Sequence, residues 1–254
     1  MSDVLLYDVR EGVAHLTLNR PEKRNALNAD LVAALTDALE RSAADGAVRV
    51  VAISGAGNDF CSGADLAELE RISELSAEEN LADARSLGRL YTLLRAHPRP
   101  VVALVHGRAL AGGCGLATAC DIVLAHEDAE LGYPEVNIGF VPAMVMAILR
   151  RKVPEGRAFE LVAGGARVGA RTAERMGLVT RVFPGPRFGA DAQQYLRDLA
   201  AKPVSALTLT KSLLYELDTL DFERGIERAA AVNVEARLSE ACREGVRRFL
   251  DRSR

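Results

Sequence analysis

The stretch HGRALAGGCGLATACD, His106 to Asp121, decides how this chain is read. It follows an apolar run, Val101 to Val105, holds no acid before Asp121 and no base after Arg108, and is otherwise built of small residues. The pattern predicts a strand that ends in a glycine turn and opens a short helix. A helix start presents unpaired backbone N–H groups and a partial positive charge. Glycine lets a ligand approach that backbone closely.

A second segment has the same form: the strand VRVVAIS, Val48 to Ser54, runs into the loop GAGNDFCSGADL, Gly55 to Leu66. Two such loops side by side can aim two N–H groups at one oxygen, which is an oxyanion hole. Each loop alone is equally consistent with tight strand-to-helix packing. Neither contains G-K-[ST] or G-x-G-x-x-G, which disfavours nucleotide triphosphates and dinucleotides.

Working outward, VLLYDV and VAHLTL read as a hairpin turning at Glu11–Gly12. Asn28 is placed to cap the helix ADLVAALTDALERSA. A charged helical region is expected from Leu66 to His97, then the strand PVVALV, the opening stretch, the strand DIVLA and an irregular segment, EDAELGYPEVNIGFVP. Helical patterns follow from Pro142, broken by the short strand VTRVF. From about Gly189 everything reads as helix. The expected organisation is a core over residues 1–188 and a helical region over 189–254.

The chain has 254 residues, 49% apolar and 26% charged, with a net charge of -3. That is an ordinary globular composition, without the basic face that nucleic acid requires. Cys61, Cys114, Cys120 and Cys242 show no C-x-x-C spacing and read as free thiols in a reducing compartment. The opening MSDVLLYDVREG does not read as a signal peptide, and no apolar run is long enough to span a membrane. The expected location is the cytoplasm. His15, His97, His106 and His126 share no metal spacing, and no metal is expected. No Ser/His/Asp set stands out for hydrolase chemistry.

Taken together, NRPEKRNALN, GAGNDFCSGADL, RPVVALVHGRALAGGCGLATACDIVLA, LGYPEVNIGFVP and GARVGARTAERMGLVTRVFP resemble, in order and spacing, the signature segments of the crotonase superfamily, the enoyl-CoA hydratases and isomerases. The resemblance is strong from about Leu5 to Pro184 and looser over the helical tail. It implies an α/β spiral of repeated ββα turns with a C-terminal helical trimerisation region, assembled as a homotrimer or a dimer of trimers. It implies an acyl-CoA thioester as substrate, as in fatty acid metabolism, with coenzyme A arriving as part of that substrate and no separate cofactor. By match to the motifs, the oxyanion N–H groups belong to Ala64 and Gly112. Arg24, Ala26, Ser62, Asp65, Leu66, Gly113 and Gly115 fall in the segments that contact the thioester and its CoA. Phe249 and Arg252 resemble the family's end, which helps cover the CoA of a neighbouring subunit, although the usual KR-x-P finish is not reproduced.

One departure bears on the reaction. The family's hydratases hold a water between two glutamates; here the first position is Gly115 and the second is Glu135. A single carboxylate can still add water, by taking a proton from it and returning that proton to carbon. It can also shuttle a proton between two carbons, which is double-bond isomerisation. Asp65, Glu68 and Glu70 are candidates for a substitute acid, with solvated surface charges as the alternative reading. PAMVMAILRR, after Glu135, resembles a bacterial branch that also lacks the first glutamate and is associated with hydration, which favours the hydratase. Met144 and Met146 are candidates for the acyl pocket, or plain core. Cys114, beside the turn, is conceivable as a nucleophile. A non-catalytic acyl-CoA binder stands as a further alternative.

Overall fold

The computed structural model describes residues 4–252, with the side chains of Leu66, Leu69 and Arg252 outside the description. β1 (Leu5–Arg10) and β2 (Val13–Leu18) form the expected antiparallel hairpin, with Glu11 and Gly12 both at positive φ in the turn. From β2 onward the main sheet is parallel. β3 (Val50–Gly55), β4 (Val101–Val105), β6 (Ile122–His126) and β9 (Arg181–Phe183) complete the order β1-β2-β3-β4-β6-β9. A second, small sheet is made from β5 (Arg108–Leu110), β7 (Glu130–Gly132) and β8 (Arg167–Gly169), in the order β5-β7-β8. Strand, second-sheet strand and helix thus recur as the chain advances, which is the spiral of ββα turns expected from the sequence.

The main sheet is covered on both faces, and this is why VVALV is apolar throughout rather than alternating. Val101, Ala103 and Val105 point into the larger core with Leu31, Leu35 and Leu39 of α1 (Ala29–Ala44). Val102 and Leu104 point the other way, against Ala192, Leu196 and Ala200 of α8 (Phe188–Ala200). The first helix of the C-terminal segment therefore lies on the sheet. Beyond it come α9 (Val204–Glu216), α10 (Phe222–Leu238) and α11 (Glu240–Arg252), which leave Phe222, Ile226, Leu238, Phe249 and Leu250 exposed.

Two expectations change. The single helical region from Leu66 to His97 is two helices, α2 (Leu66–Glu74) and α3 (Ala77–Ala96). The break is a capping box: the Ser76 hydroxyl accepts from Glu79 N–H while the Glu79 carboxylate accepts from Ser76 N–H. The segment after β6, expected to be irregular, contains β7 and a 3-10 turn over Pro134–Ile138.

Candidate active site

The two glycine loops meet through close backbone packing. Gly63 has φ +101°, and a β-carbon there would lie 2.9 Å from both Ala111 Cβ and Leu110 O. Gly113, in the first turn of α4 (Gly112–Ala119), would place a β-carbon 2.3 Å from Cys61 O. Larger residues at either position would push the loops apart. Between them stands Ala111, an alanine at φ 48°, ψ −126°, a conformation L-residues seldom adopt. Its N–H donates to Gly132 O at 2.9 Å, tying the strained residue to β7. Such strain persists only where surrounding structure imposes it.

Ala64 and Gly112 follow directly on these packed residues. Leu27 runs parallel to the first loop, donating from its N–H to Gly63 O (2.7 Å) and accepting from Asp65 N–H (3.1 Å). This flanking ladder leaves the intervening Ala64 N–H unused. No oxygen among the described residues accepts from the N–H of Ala64 or of Gly112. The Gly112 group also sits at the positive end of α4.

Asn25, fully buried at φ 54°, supports this arrangement from below. Its side chain accepts from Arg20 N–H and donates to Ala56 O and Asp59 O, both at 2.8 Å. Arg20 donates to Ala26 O at 2.5 Å and pairs with Asp65 at 2.7 Å.

Glu135 stands on the 3-10 turn behind Tyr133. The Tyr133 hydroxyl is hydrogen bonded to Thr118 Oγ1 at 2.6 Å inside the core, which fixes the start of that turn against α4. Pro134 presets φ for the turn. The Glu135 side chain is buried, and its Oε2 has no hydrogen-bond partner among the described residues. Burial raises its pKa above the ordinary carboxylate value. An unpaired carboxylate oxygen in a dry setting is a proton acceptor without competition.

Tyr91 of α3 completes the surroundings. Its hydroxyl donates to Gly112 O at 3.2 Å. Burial holds it protonated, with its pKa raised far above the ordinary tyrosine value; the nearby Cys61, Cys114 and Glu135 add to the effect. A β-carbon on Gly115 would stand 2.5 Å from Val145 Cγ2 and 2.7 Å from the Tyr91 hydroxyl. The space where the hydratases resembled here carry their first glutamate is filled.

The profile of the enoyl-CoA hydratase/isomerase family matches residues 8–254. The chain belongs to that family. It is 43% identical over 94% of its length to a Thermus thermophilus protein named provisionally as an enoyl-CoA hydratase, of which the match covers 95%. It is 34% identical to the 2,3-dehydroadipyl-CoA hydratase of Escherichia coli, over 98% of this chain and 96% of that one. Among solved structures, the enoyl-CoA hydratase of Mycobacterium smegmatis superposes with a TM-score of 0.94 at 32% identity, covering 99% and 97% of the two chains. The crotonase fold expected from the sequence is the fold observed.

For a member of this family, the substitute acids named from the sequence are poorly disposed. Asp65 caps α2, accepting from Ala67 N–H, and is held by Arg20, whose hydrogen bond lowers its pKa. It is a clamp with no proton to give. Glu68 pairs with Arg71 at 2.8 Å, and Glu70 is exposed. Cys114 is fully buried, and burial pushes its thiol up to about 11, so the nucleophilic thiolate is suppressed.

The expected CoA contacts are spread more widely. Arg24 is exposed at φ 51°, and its carbonyl accepts from Ser62 N–H. Ala26 is buried, with its carbonyl already engaged by Arg20. Leu66 opens α2, but its side chain lies outside the described residues, as does that of Arg252. Phe249 is on the exposed side of α11. Met144 lines a cavity of about 720 Å³ that also touches Tyr91. Met146 is exposed and does not line it.

Sequence reasoning passed over Tyr91, Arg20 and Asn25. Asn25 alone carried a local signal, an asparagine amid turn residues. Tyr91 had none, because its partner is 21 residues away in the chain.

Proposed function

We propose that the protein is an enoyl-CoA hydratase in which Glu135 is the acid–base group and the N–H groups of Ala64 and Gly112 hold the thioester oxygen. The observation that carries this reading is the buried Oε2 of Glu135, without a hydrogen-bond partner among the described residues and close enough to act electrostatically on Cys114 in the first turn of α4. Glu135 takes a proton from water as the oxygen of that water bonds to C3 of the enoyl group. The C2–C3 π electrons move into the C1–C2 bond, and those of the C=O move onto oxygen. Two backbone donors aimed at this enolate oxygen stabilise charge that develops only as the reaction proceeds. The enolate then collapses, and C2 takes the proton back from Glu135. One carboxylate thus completes the addition without net change. Tyr91, kept neutral by burial, steadies the first turn of α4 through Gly112 O.

The absence of a carboxylate at Gly115 favours a second reading, isomerisation, in which Glu135 moves one proton between C2 and C4. Incubation with crotonyl-CoA and with a 3-enoyl-CoA separates the two. Hydration removes conjugated enoyl absorbance from the first; isomerisation creates it from the second. No change with either substrate would rule out both reactions on simple, unsubstituted acyl groups. The exposed apolar residues of α10 and α11 support assembly as a homotrimer or a dimer of trimers, in which buried surface would replace solvent. Coenzyme A enters as part of the substrate, and no further cofactor is invoked.

A further inference from the structure

The cavity of about 720 Å³ lies between α3, α5 (Ala143–Lys152) and the 3-10 turn that follows α9. It shares Tyr91 with the site just described: the tyrosine lines the cavity, and its hydroxyl bonds to Gly112 O. Gly88, Met144, Ala147 and Ile148 give it an apolar wall. A β-carbon at Gly88 would meet only Met144 Sδ, at 3.4 Å, so the wall is low there. On the acyl-CoA reading, a chain that runs past Tyr91 from a thioester held at Gly112 meets this wall.

Charge accompanies the apolar lining. Arg95 and Arg151 both line the cavity, and both pair with the same oxygen of Asp218, at 2.6 and 2.9 Å. Two guanidinium groups against one carboxylate leave a surplus of one positive charge. The donors are not exhausted either. Arg95 donates one Nη to Asp218 and lies 3.9 Å over the Tyr215 ring; Arg151 donates one Nη to Ala147 O and has Nε in ion-pair contact with Asp218. Among the described residues, the second Nη of each arginine and Nε of Arg95 have no hydrogen-bond partner. A planar fork with free donors and one unmatched charge suits a carboxylate. A purely hydrocarbon tail would leave those donors to water alone.

On the reading that an acyl-CoA occupies the site, we infer that the acyl group carries a second carboxylate at its far end, bound by Arg95 and Arg151. The enzyme then acts on the CoA thioester of a dicarboxylic acid rather than of a simple fatty acid. The test is calorimetric binding of saturated, unreactive pairs of matched length: hexanoyl-CoA against adipoyl-CoA, and octanoyl-CoA against suberoyl-CoA, with free CoA as control. In at least one pair the dicarboxylic thioester should bind about tenfold or more tightly, as a charge-assisted hydrogen bond to a terminal group would provide. Arg151→Met and Arg95→Met should each abolish that preference while leaving the monocarboxylic thioesters bound as before. Arg151 is half exposed, so its variant keeps the test standing should Arg95→Met unfold. Equal binding within both pairs overturns the inference and leaves the acyl-CoA reading intact. So does a preference that survives in Arg151→Met. Failure of every thioester to bind more tightly than free CoA overturns both.

Discussion

The hydroxyl of Tyr91 lies 2.7 Å from the point that a β-carbon on Gly115 would occupy. The site therefore has a tyrosine where a second carboxylate would otherwise find room. The sequence alone invites Gly115→Glu as a way to install a two-carboxylate water site. The structure predicts the opposite result. Tyr91 and Val145 leave no volume for the side chain, and overpacking of this kind costs about 1–3 kcal/mol. Gly115→Glu should lower the urea midpoint and hydrate crotonyl-CoA no faster than the parent. Faster hydration in a variant of undiminished stability would refute the packing argument.

Glu135→Gln keeps the size of the side chain but cannot cycle a proton. Its turnover should fall by about 10²–10⁴, with acyl-CoA binding retained in calorimetry. The parent enzyme should also show the raised pKa of Glu135. The base acts when deprotonated, so kcat/KM should fall as pH drops through a midpoint above 4.5, the ordinary value for a glutamate. Turnover unchanged in the glutamine variant would remove Glu135 from the mechanism.

At Gly112 a β-carbon would meet Leu27 Cδ1 at 3.3 Å and the Tyr91 hydroxyl at 3.9 Å. An alanine fits with small shifts. Gly112→Ala should therefore keep the fold, whereas the branched side chain of Gly112→Val presses on Leu27 and Tyr91 and displaces the N–H of residue 112 itself. The valine variant should lose about 10²–10³ in kcat, the scale of one missing oxyanion donor. Circular dichroism would verify that its secondary structure persists, and near-parental kcat would count against the assignment.

His97 predicts the acid limb of stability. It is buried; Nδ1 accepts from Arg99 N–H, and Nε2 bonds with Ser42 Oγ at 3.1 Å. Burial lowers its pKa to about 4, from 6.5. Between those values the unfolded chain binds more protons than the folded one. The contribution is complete above pH 6.5 and is lost as pH falls toward 4, by roughly 3 kcal/mol in all. Urea unfolding at about pH 7 and about pH 4.5 should show this loss in the parent, and a smaller one in His97→Asn. Equal losses in the two proteins would exclude His97 as the source.

Much of the fold was legible because strand and helix periods are local. The apolar runs at Val50 and Val101, the Asn28 cap and the Glu11–Gly12 turn each stand within a few residues of what they specify. The split between α2 and α3 was legible in principle, since Ser76 and Glu79 form a capping box three residues apart, but the surrounding charges read as one continuous helix. The site divides in the same way. The loops around Ala64 and Gly112 announce themselves through glycine. The occupants of their surroundings do not: Tyr91 reaches Gly112 from another helix, and Arg20 reaches Asp65 across 45 residues. Distance in the chain erases such pairs from a single sequence.

The position of α8 has a consequence for how the protein is made. The sheet face formed by Val13, Val50, Ala52, Val102, Leu104 and Leu124 is closed by Ala192, Leu196 and Ala200. Synthesis runs from the N-terminus, so the strands of this face leave the ribosome well before the helix that shields them. A nascent chain held short of residue 200 presents a wet apolar stripe, the kind of surface chaperones bind and aggregates grow from. A version ended at residue 188 would carry that exposure permanently. The smallest portion able to stand alone in water must include α8.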